Sequence, residues 1–310
     1  MKFLHNDKER FARNTTAVSK SAGMDPALVE KDYFVTLFLK HLAEKEPLLV
    51  FKGGTCLSKC FKLIKRFSED IDINLFGMEG LSHRRKKEMK YNIVETIDSL
   101  ELKLFNPEEV RSGRDHNVYK VLYPSIFQSP SLKQHLEIET YFLIGSFPTA
   151  NMNVTSFIYD YLKERGFDDI ISEFGLEPFE VRVQALERTF VDKIFAVCDY
   201  HMTGKINGQS RHLYDIHKIL PHMTLNDDLK DFVEEVRKVR EGKRDCLSAA
   251  KDVSLPDMIN DVMEKDAYRT DYNERAAPLL YETVAYADIA ATMKRIADWL
   301  RRPGRGGVLP

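Results

Sequence analysis

Asp70 and Asp72 are the two residues whose type and spacing most directly indicate chemistry. The apolar side chains of Ile71, Ile73 and Leu75 alternate with polar ones, which predicts a β-strand with both carboxylates on one face. Two carboxylates placed in this way offer the oxygen ligands that Mg²⁺ prefers. Because the same spacing also occurs on solvated strands, the pair alone does not distinguish a metal site from a polar surface.

A pair of glycines, Gly53 and Gly54, precedes this strand in the chain. The apolar run Leu48–Phe51 predicts a buried strand before them, and Thr55–Ile64 predicts a short helix after them. Backbone N–H groups at such a turn approach a phosphate closely, and Thr55 adds a hydroxyl. A tight turn that needs a positive φ is the alternative. Together with the acidic strand, the turn predicts a triphosphate cradle beside a metal site, the two parts that nucleotidyl transfer needs.

A third carboxylate would complete a two-metal site. The segment His135–Leu143 predicts a strand on which Glu137 and Glu139 share one face. Both are candidates for the third ligand, and the alternative is that one or both face solvent.

Lys193 is a candidate for neutralising phosphate charge. It lies on a predicted amphipathic helix with Phe190, Ile194 and Val197, and a lysine on the buried side of a helix needs an anionic partner. A phosphate would serve, and so would Asp215. The alternative is an ordinary salt bridge between helices.

Three further basic features allow two interpretations each. Lys52 and Arg66 are candidate phosphate ligands, and equally candidate structural residues. The run His83–Lys87 is typical of a solvated helix face, and for an RNA acceptor it would be a backbone contact that weakens with salt.

The pattern along the whole chain predicts an α+β fold. Helical periodicity begins at Asp25, which is placed to cap the helix, with Pro26 at its first position. The other predicted elements are a helix over Ser82–Leu100, strands over Asn117–Tyr123 and Phe179–Val183, a loop containing Pro148, Asn151 and Asn153, and helices from Gln184 onward. We expect an N-terminal lobe over residues 1–183 with a mixed β-sheet flanked by helices, a helical lobe over 184–302, and a flexible tail over 303–310.

Composition excludes several classes of protein. The chain has 310 residues, 43% hydrophobic and 30% charged, which is typical of a globular protein with a substantial core. The formal net charge of -2 means that any contact with nucleic acid requires a local basic patch. The four cysteines lack the spacing of a zinc site and are expected to be reduced thiols. We find no signal peptide and no membrane-spanning run, so we expect a cytoplasmic protein without a membrane partner.

Several ordered motifs of this chain resemble the AbiEii/AbiGii toxin family, which includes the MenT-type toxins and belongs to the DNA polymerase β-like nucleotidyltransferase superfamily. The motifs are Glu30–Tyr33, Phe51–Lys59, Arg66–Asp72, Leu136–Ile138, Glu187–Lys193 and Arg211–Ile216. One departure is Asp192, where the family pattern has glutamate before the lysine. The resemblance spans roughly Leu28 to Leu220, and the region after Leu220 matches no recognised motif.

The resemblance implies a metal-dependent nucleotidyltransferase with an N-terminal catalytic lobe and a helical lobe that completes the active site. Asp70 and Asp72 would bind Mg²⁺ or Mn²⁺, and Glu137 is favoured over Glu139 as the third carboxylate. Ser68 and Lys193 would contact the triphosphate of the nucleoside triphosphate, beside Lys52, Gly53, Gly54, Thr55 and Arg66. Asp215 would be needed for activity.

The same resemblance implies the toxin of a type IV toxin–antitoxin or phage abortive-infection system. Its acceptor would be a tRNA 3′ end, and a cognate antitoxin would be encoded nearby, whether or not the two proteins bind directly. Two alternatives stay open: a nucleotidyltransferase that modifies a protein or a small molecule, and a non-catalytic nucleotide- or RNA-binding module.

Overall fold

A computed structural model of the protein describes residues 2–66, 68–77, 81–130 and 132–303. Its helices are α1 (Lys8–Ala22), α2 (Pro26–Lys45), α3 (Gly53–Lys59), α4 (His83–Ser99), α5 (Phe157–Glu164), α6 (Asp168–Glu173), α7 (Leu186–Met202), α8 (Arg211–Ile219), α9 (Asp227–Arg240), α10 (Leu255–Glu264), α11 (Arg269–Asp271) and α12 (Tyr286–Arg301). Its strands are β1 (Leu49–Lys52), β2 (Asp70–Leu75), β3 (Lys103–Leu104), β4 (His116–Leu122), β5 (Leu136–Tyr141), β6 (Thr149–Val154) and β7 (Phe179–Gln184). The predicted flexible tail lies, from residue 304 onward, outside the described residues.

In this part of the chain the strands form one mixed sheet of seven, in the order β3-β4-β5-β2-β1-β7-β6. The central strand β2 pairs antiparallel with β1 and parallel with β5. Helices flank the sheet, and the predicted α+β fold with a helical C-terminal region is confirmed. The acidic strand therefore lies between the strand that leads into the glycine turn and the strand that carries Glu137.

The start of α2 follows from its sequence. The Asp25 carboxylate accepts a hydrogen bond from the Ala27 N–H, and Pro26 occupies the first helical turn, as predicted. The earlier helix α1, which the sequence analysis did not predict, begins with the same kind of cap, because Asp7 accepts from the Arg10 N–H.

One predicted loop is a strand. Pro148, Asn151 and Asn153 indicated a loop, but residues 149–154 form β6 at the edge of the sheet, beside β7. Asparagine is disfavoured in strands, yet an edge strand exposes much of its surface, and most of β6 is exposed or half-buried. Composition alone therefore gave the wrong assignment here.

The helix after the glycines is shorter than predicted. It begins at Gly53 and ends at Lys59, whereas the periodicity indicated Thr55–Ile64. Lys62 has a φ of 57°, which no helix accommodates. The Lys65 N–H then donates to the Tyr214 hydroxyl at 2.9 Å, so the chain leaves α3 to join helices that follow much later in the sequence.

The chain divides into two compact units. The first comprises Met1–Phe61 and Ser68–Val183, and its core joins the sheet to α1, α2, α4 and α5. The second comprises Lys62–Phe67 and Gln184–Pro310, and in it α8 packs on α7 and α12 while α10 packs on α12.

Two further observations concern the described residues as a whole. All four cysteines are buried and free of disulfides, as predicted. No helix in the described ranges is both long and apolar enough to cross a lipid bilayer.

Candidate active site

Four carboxylates lie on one face of the sheet, on two neighbouring strands. Asp70 is the register partner of Glu137, and Asp72 is the register partner of Glu139. The strands alternate as predicted, because Ile71, Ile73, Leu136 and Ile138 are buried on the opposite face. The sheet therefore gathers the predicted acids within the first unit.

Gly53 and Asp72 approach each other so closely that a Cβ at position 53 would force the Asp72 side chain to move. An ideal Cβ on Gly53 would lie 1.7 Å from Oδ2 of Asp72, and the φ of Gly53 is +76°. Lys52, immediately before, is the register partner of Asp72. The acidic strand therefore faces the glycine turn, as the sequence analysis expected.

The residues that flank the turn are tied to the acidic strand. The Thr55 hydroxyl donates to the main-chain oxygen of Asp70 at 2.6 Å and lies 3.1 Å from the Ser68 hydroxyl. Thr55 is buried and Ser68 is half-buried. Thr55 therefore fastens α3 to the beginning of β2, and Ser68 lies beside Asp70. Gly54 occupies the first turn of α3.

Lys52 is the last residue of β1, and the structure places it on the acidic face. Its ammonium lies 5.5 Å from the centroid of the Tyr141 ring, a cation–π distance. Its side chain is half-buried, so the positive charge of Lys52 lies next to the acids and still reaches solvent at the surface of the first unit.

Lys133 and His135 are site residues that the sequence analysis missed. The Lys133 ammonium lies 3.2 Å from Oδ1 of Asp70 and forms an ion pair with Oε2 of Glu137. The His135 ring nitrogen Nε2 lies 3.0 Å from Oε1 of Glu137. Burial by itself would raise the pKa of Glu137, but Lys133 and His135 lower it to about 2. A partial signal existed, because the predicted strand began at His135 and put this residue on the face of Glu137. Lys133 precedes both the predicted strand and β5, so periodicity does not place it.

The donor set fits a hard divalent cation in its chemistry. Asp70, Asp72 and Glu137 offer only carboxylate oxygens, which are the ligands that Mg²⁺ and Mn²⁺ accept. Within the described ranges no three acidic, histidine or cysteine side chains are gathered closely enough to hold a metal ion. Asp70 and Glu137 nevertheless hold one cation together, the ammonium of Lys133.

A second charged cluster lies in the second unit and joins Arg66, Lys193 and Asp215. Arg66 donates to both carboxylate oxygens of Asp215, at 2.7 and 2.8 Å, and Lys193 donates to Oδ2 at 2.7 Å. All three side chains are buried. Burial favours a neutral Asp215, but the two cations hold its pKa well below the ordinary value. The sequence allowed a phosphate or Asp215 as the partner of Lys193, and in the structure Lys193 pairs with Asp215.

Three consecutive charges on α2, Glu30, Lys31 and Asp32, form a buried frame that was noted only as a family motif. The Glu30 carboxylate accepts from the N–H groups of Ile126 and Phe127, at 2.8 and 3.3 Å. The Asp32 carboxylate pairs with Lys59 of α3 and accepts from the Phe157 N–H at 2.8 Å. Each charge holds a segment distant in sequence.

Lys31 is the member of this frame closest to the acids. Its ammonium pairs with Glu69, the residue before β2, and donates to the main-chain oxygen of Lys133 at 2.8 Å. Lys31 therefore holds the segment before Asp70, through Glu69, and the segment before Glu137, through the main chain of Lys133.

Comparison with known proteins shows a family and a similar fold. The family model described as "Nucleotidyl transferase AbiEii toxin, Type IV TA system" matches residues 37–301. Among solved structures, the MenT4 nucleotidyltransferase toxin from Mycobacterium tuberculosis H37Rv has a similar fold, with a TM-score of 0.50. That match covers 92% of this chain and 89% of the toxin at 16% sequence identity, a level that shows the fold alone. No curated protein matches the chain.

Proposed function

Because the chain belongs to the AbiEii family of nucleotidyltransferase toxins of type IV toxin–antitoxin systems, we propose that it transfers a nucleoside monophosphate from a nucleoside triphosphate to a tRNA 3′ end. The proposed reaction depends on Mg²⁺ or Mn²⁺ and takes place in the cytoplasm, where the tRNA acceptor is found. A cognate antitoxin encoded nearby would control it.

The observation that carries the proposal is the placement of Asp72 against Gly53, with Asp70 and Glu137 on the same sheet face. A phosphate that contacts the backbone of the glycine turn would lie beside a divalent cation bound by these carboxylates. Phosphoryl transfer requires this arrangement.

Each residue then has a proposed role. Asp70, Asp72 and Glu137 would hold a divalent cation, whose charge would neutralise phosphate oxygens and lower the pKa of the acceptor hydroxyl. Backbone N–H groups at Gly53 and Gly54, with the Ser68 hydroxyl, would orient the phosphates. The acceptor hydroxyl oxygen would form a bond to the α-phosphorus while the bond from that phosphorus to the bridging oxygen of pyrophosphate breaks. Pyrophosphate would leave, and the hydroxyl proton would pass to solvent.

The cationic residues are proposed to serve the triphosphate. Lys193 would neutralise the β- and γ-phosphates, and Lys52 and Arg66 would add positive charge. Asp215 aligns Arg66 and Lys193, because it pairs with both. Thr55 would act indirectly, through its hydrogen bond to Asp70.

A tRNA acceptor is supported by the exposed part of the basic run on α4. Arg85 pairs with Glu46 and Lys86 with Asp115, so these two are tied to the first unit. His83, Arg84 and Lys87 remain exposed, although Arg84 also pairs with Glu88 on the same helix. We assign Arg84 and Lys87 as contacts to the RNA backbone.

The acceptor is tested with nucleoside triphosphates labelled at the α-phosphate. The protein is incubated with each of them, Mg²⁺ and total tRNA, and with Asp70→Asn as the inactive control. We expect label on tRNA, removable from its 3′ end, with wild type alone. Label on protein or a small molecule and never on RNA would contradict the proposed acceptor while preserving the activity.

A further inference from the structure

The Lys133 ammonium bridges the two carboxylates of the acidic pair, Asp70 and Glu137. Asp70 and Glu137 belong to neighbouring strands at opposed register positions, and the Lys133 ammonium contacts a carboxylate oxygen of each. Two adjacent carboxylates repel each other unless a cation lies between them. The ammonium therefore occupies the position that compensates both charges.

The main chain of Lys133 is fixed although its side chain is not enclosed. Its carbonyl oxygen accepts from Lys31, which is only 1% exposed and is itself held by Glu69. The Lys133 side chain is 41% exposed. The ammonium can therefore leave the carboxylates towards solvent without any change in the backbone that carries it.

We propose that the Lys133 ammonium occupies the cation position between Asp70 and Glu137 and is displaced when a divalent cation binds there. This inference rests on the proposed function, since it assigns the displacing cation to the same carboxylates. The site is kept closed as an ion pair until the metal enters, and the apparent metal affinity is lowered by the competition.

The test compares the Mn²⁺ affinities of wild type and Lys133→Met, measured on the full chain from the electron paramagnetic resonance signal of unbound Mn²⁺. Without the competing ammonium, Lys133→Met should bind Mn²⁺ about fivefold more tightly, since two partly exposed ion pairs no longer oppose binding. Lys133→Arg keeps a cation and should bind no more tightly than wild type.

Lys120→Met is the matched control for the loss of one positive charge. Lys120 is the register partner of Glu137 on β4, and its ammonium lies 4.0 Å from Glu109. We expect its Mn²⁺ affinity to stay close to that of wild type. An equal gain in Lys120→Met and Lys133→Met would show a general charge effect and overturn the inference.

Thermal unfolding gives a second readout that also reports folding. Mn²⁺ should raise the Tm of Lys133→Met further than that of wild type, because tighter binding to the native state adds more stability. Equal Mn²⁺ affinities and equal Tm shifts in the two proteins would overturn this inference alone. Absence of Mn²⁺ binding in every protein, wild type included, would overturn the proposed function with it.

Discussion

At position 53, glycine allows both the turn and the close approach of the Asp72 carboxylate. Its positive φ favours glycine, and the carboxylate of Asp72 fills the space that a Cβ would need. The sequence suggested the first requirement, because two glycines follow a predicted strand. It contained no sign of the second, since the contact depends on the register between β1 and β2.

Gly53→Ala should lose activity out of proportion to its loss of stability. The added Cβ displaces the Asp72 carboxylate, and a displacement of about 1 Å in a reacting group costs roughly 100-fold in rate. Gly23→Ala is the matched control, because its φ is +65° and nothing lies within 4 Å of an added Cβ. Gly23→Ala should be destabilised by about 1 kcal/mol from the backbone term, and Gly53→Ala by somewhat more, because its Cβ also displaces the Asp72 side chain. Transfer rates and Tm values check this, and equal activity in the two variants would contradict it.

Asp215 compensates two buried cations, so Asp215→Asn should be strongly destabilising. Arg66 and Lys193 would be left buried without a counter-ion, at a cost of about 3–5 kcal/mol in the free energy of unfolding. Urea unfolding of wild type and Asp215→Asn measures the difference.

The pH dependence of that difference follows from the lowered pKa of Asp215. A carboxyl whose pKa is lower in the folded state contributes its full stability above the unfolded value, about 3.8, and loses it as the pH falls further. The difference in the free energy of unfolding between wild type and Asp215→Asn should therefore be constant from neutral pH down to about pH 3.8 and become smaller below it. A difference that disappears while the pH is still well above 3.8 would contradict the assigned ion pairs.

At the scale of elements, α2 holds the residue before the acidic strand and the last residue of α3. Its apolar periodicity predicted a helix correctly, because periodicity is a local property of the sequence. The buried charges at residues 30–32 could not be assigned in this way. Their partners, among them Lys59, Glu69 and Lys133, are far away in the sequence, and only the fold brings them together.

Lys31→Met tests the frame at this scale. It removes the counter-charge of Glu69 and a donor to the Lys133 carbonyl, so we expect about 3 kcal/mol of destabilisation and a lower transfer rate. Lys45→Met makes the same substitution on the same helix at the partly exposed pair with Glu95, and should cost at most about 1 kcal/mol. Urea unfolding measures both, and similar losses would show that the frame has no special role.

At the scale of the whole molecule, the net charge of -2 gives no general attraction for an RNA acceptor. Binding would depend on exposed groups such as Arg84 and Lys87 of α4. The sequence predicted the mixed sheet and the helical region because the spacing of apolar residues changes along the chain, from the two-residue period of strands to the period of a helix. It did not predict that residues 62–67 belong with the later helices, since this depends on distant partners such as Tyr214.

The double variant Arg84→Gln/Lys87→Gln should weaken tRNA binding and flatten its salt dependence by about 0.7–0.9 per lost phosphate contact. Lys294→Gln/Arg295→Gln, on the exposed face of α12, is the control with the same loss of charge. Filter binding over a range of salt concentrations measures the slopes. Identical slopes in the two double variants would remove α4 from the interface.

The relative transfer rates of Glu137→Gln and Glu139→Gln test the central claim most directly. The two residues lie on the same face of β5, opposite Asp70 and Asp72 respectively. Loss of a cation ligand at Glu137 should reduce the rate of labelled nucleotide transfer about 100-fold or more, whereas Glu139→Gln should stay close to wild type. A Glu137→Gln variant with the wild-type rate would contradict the account.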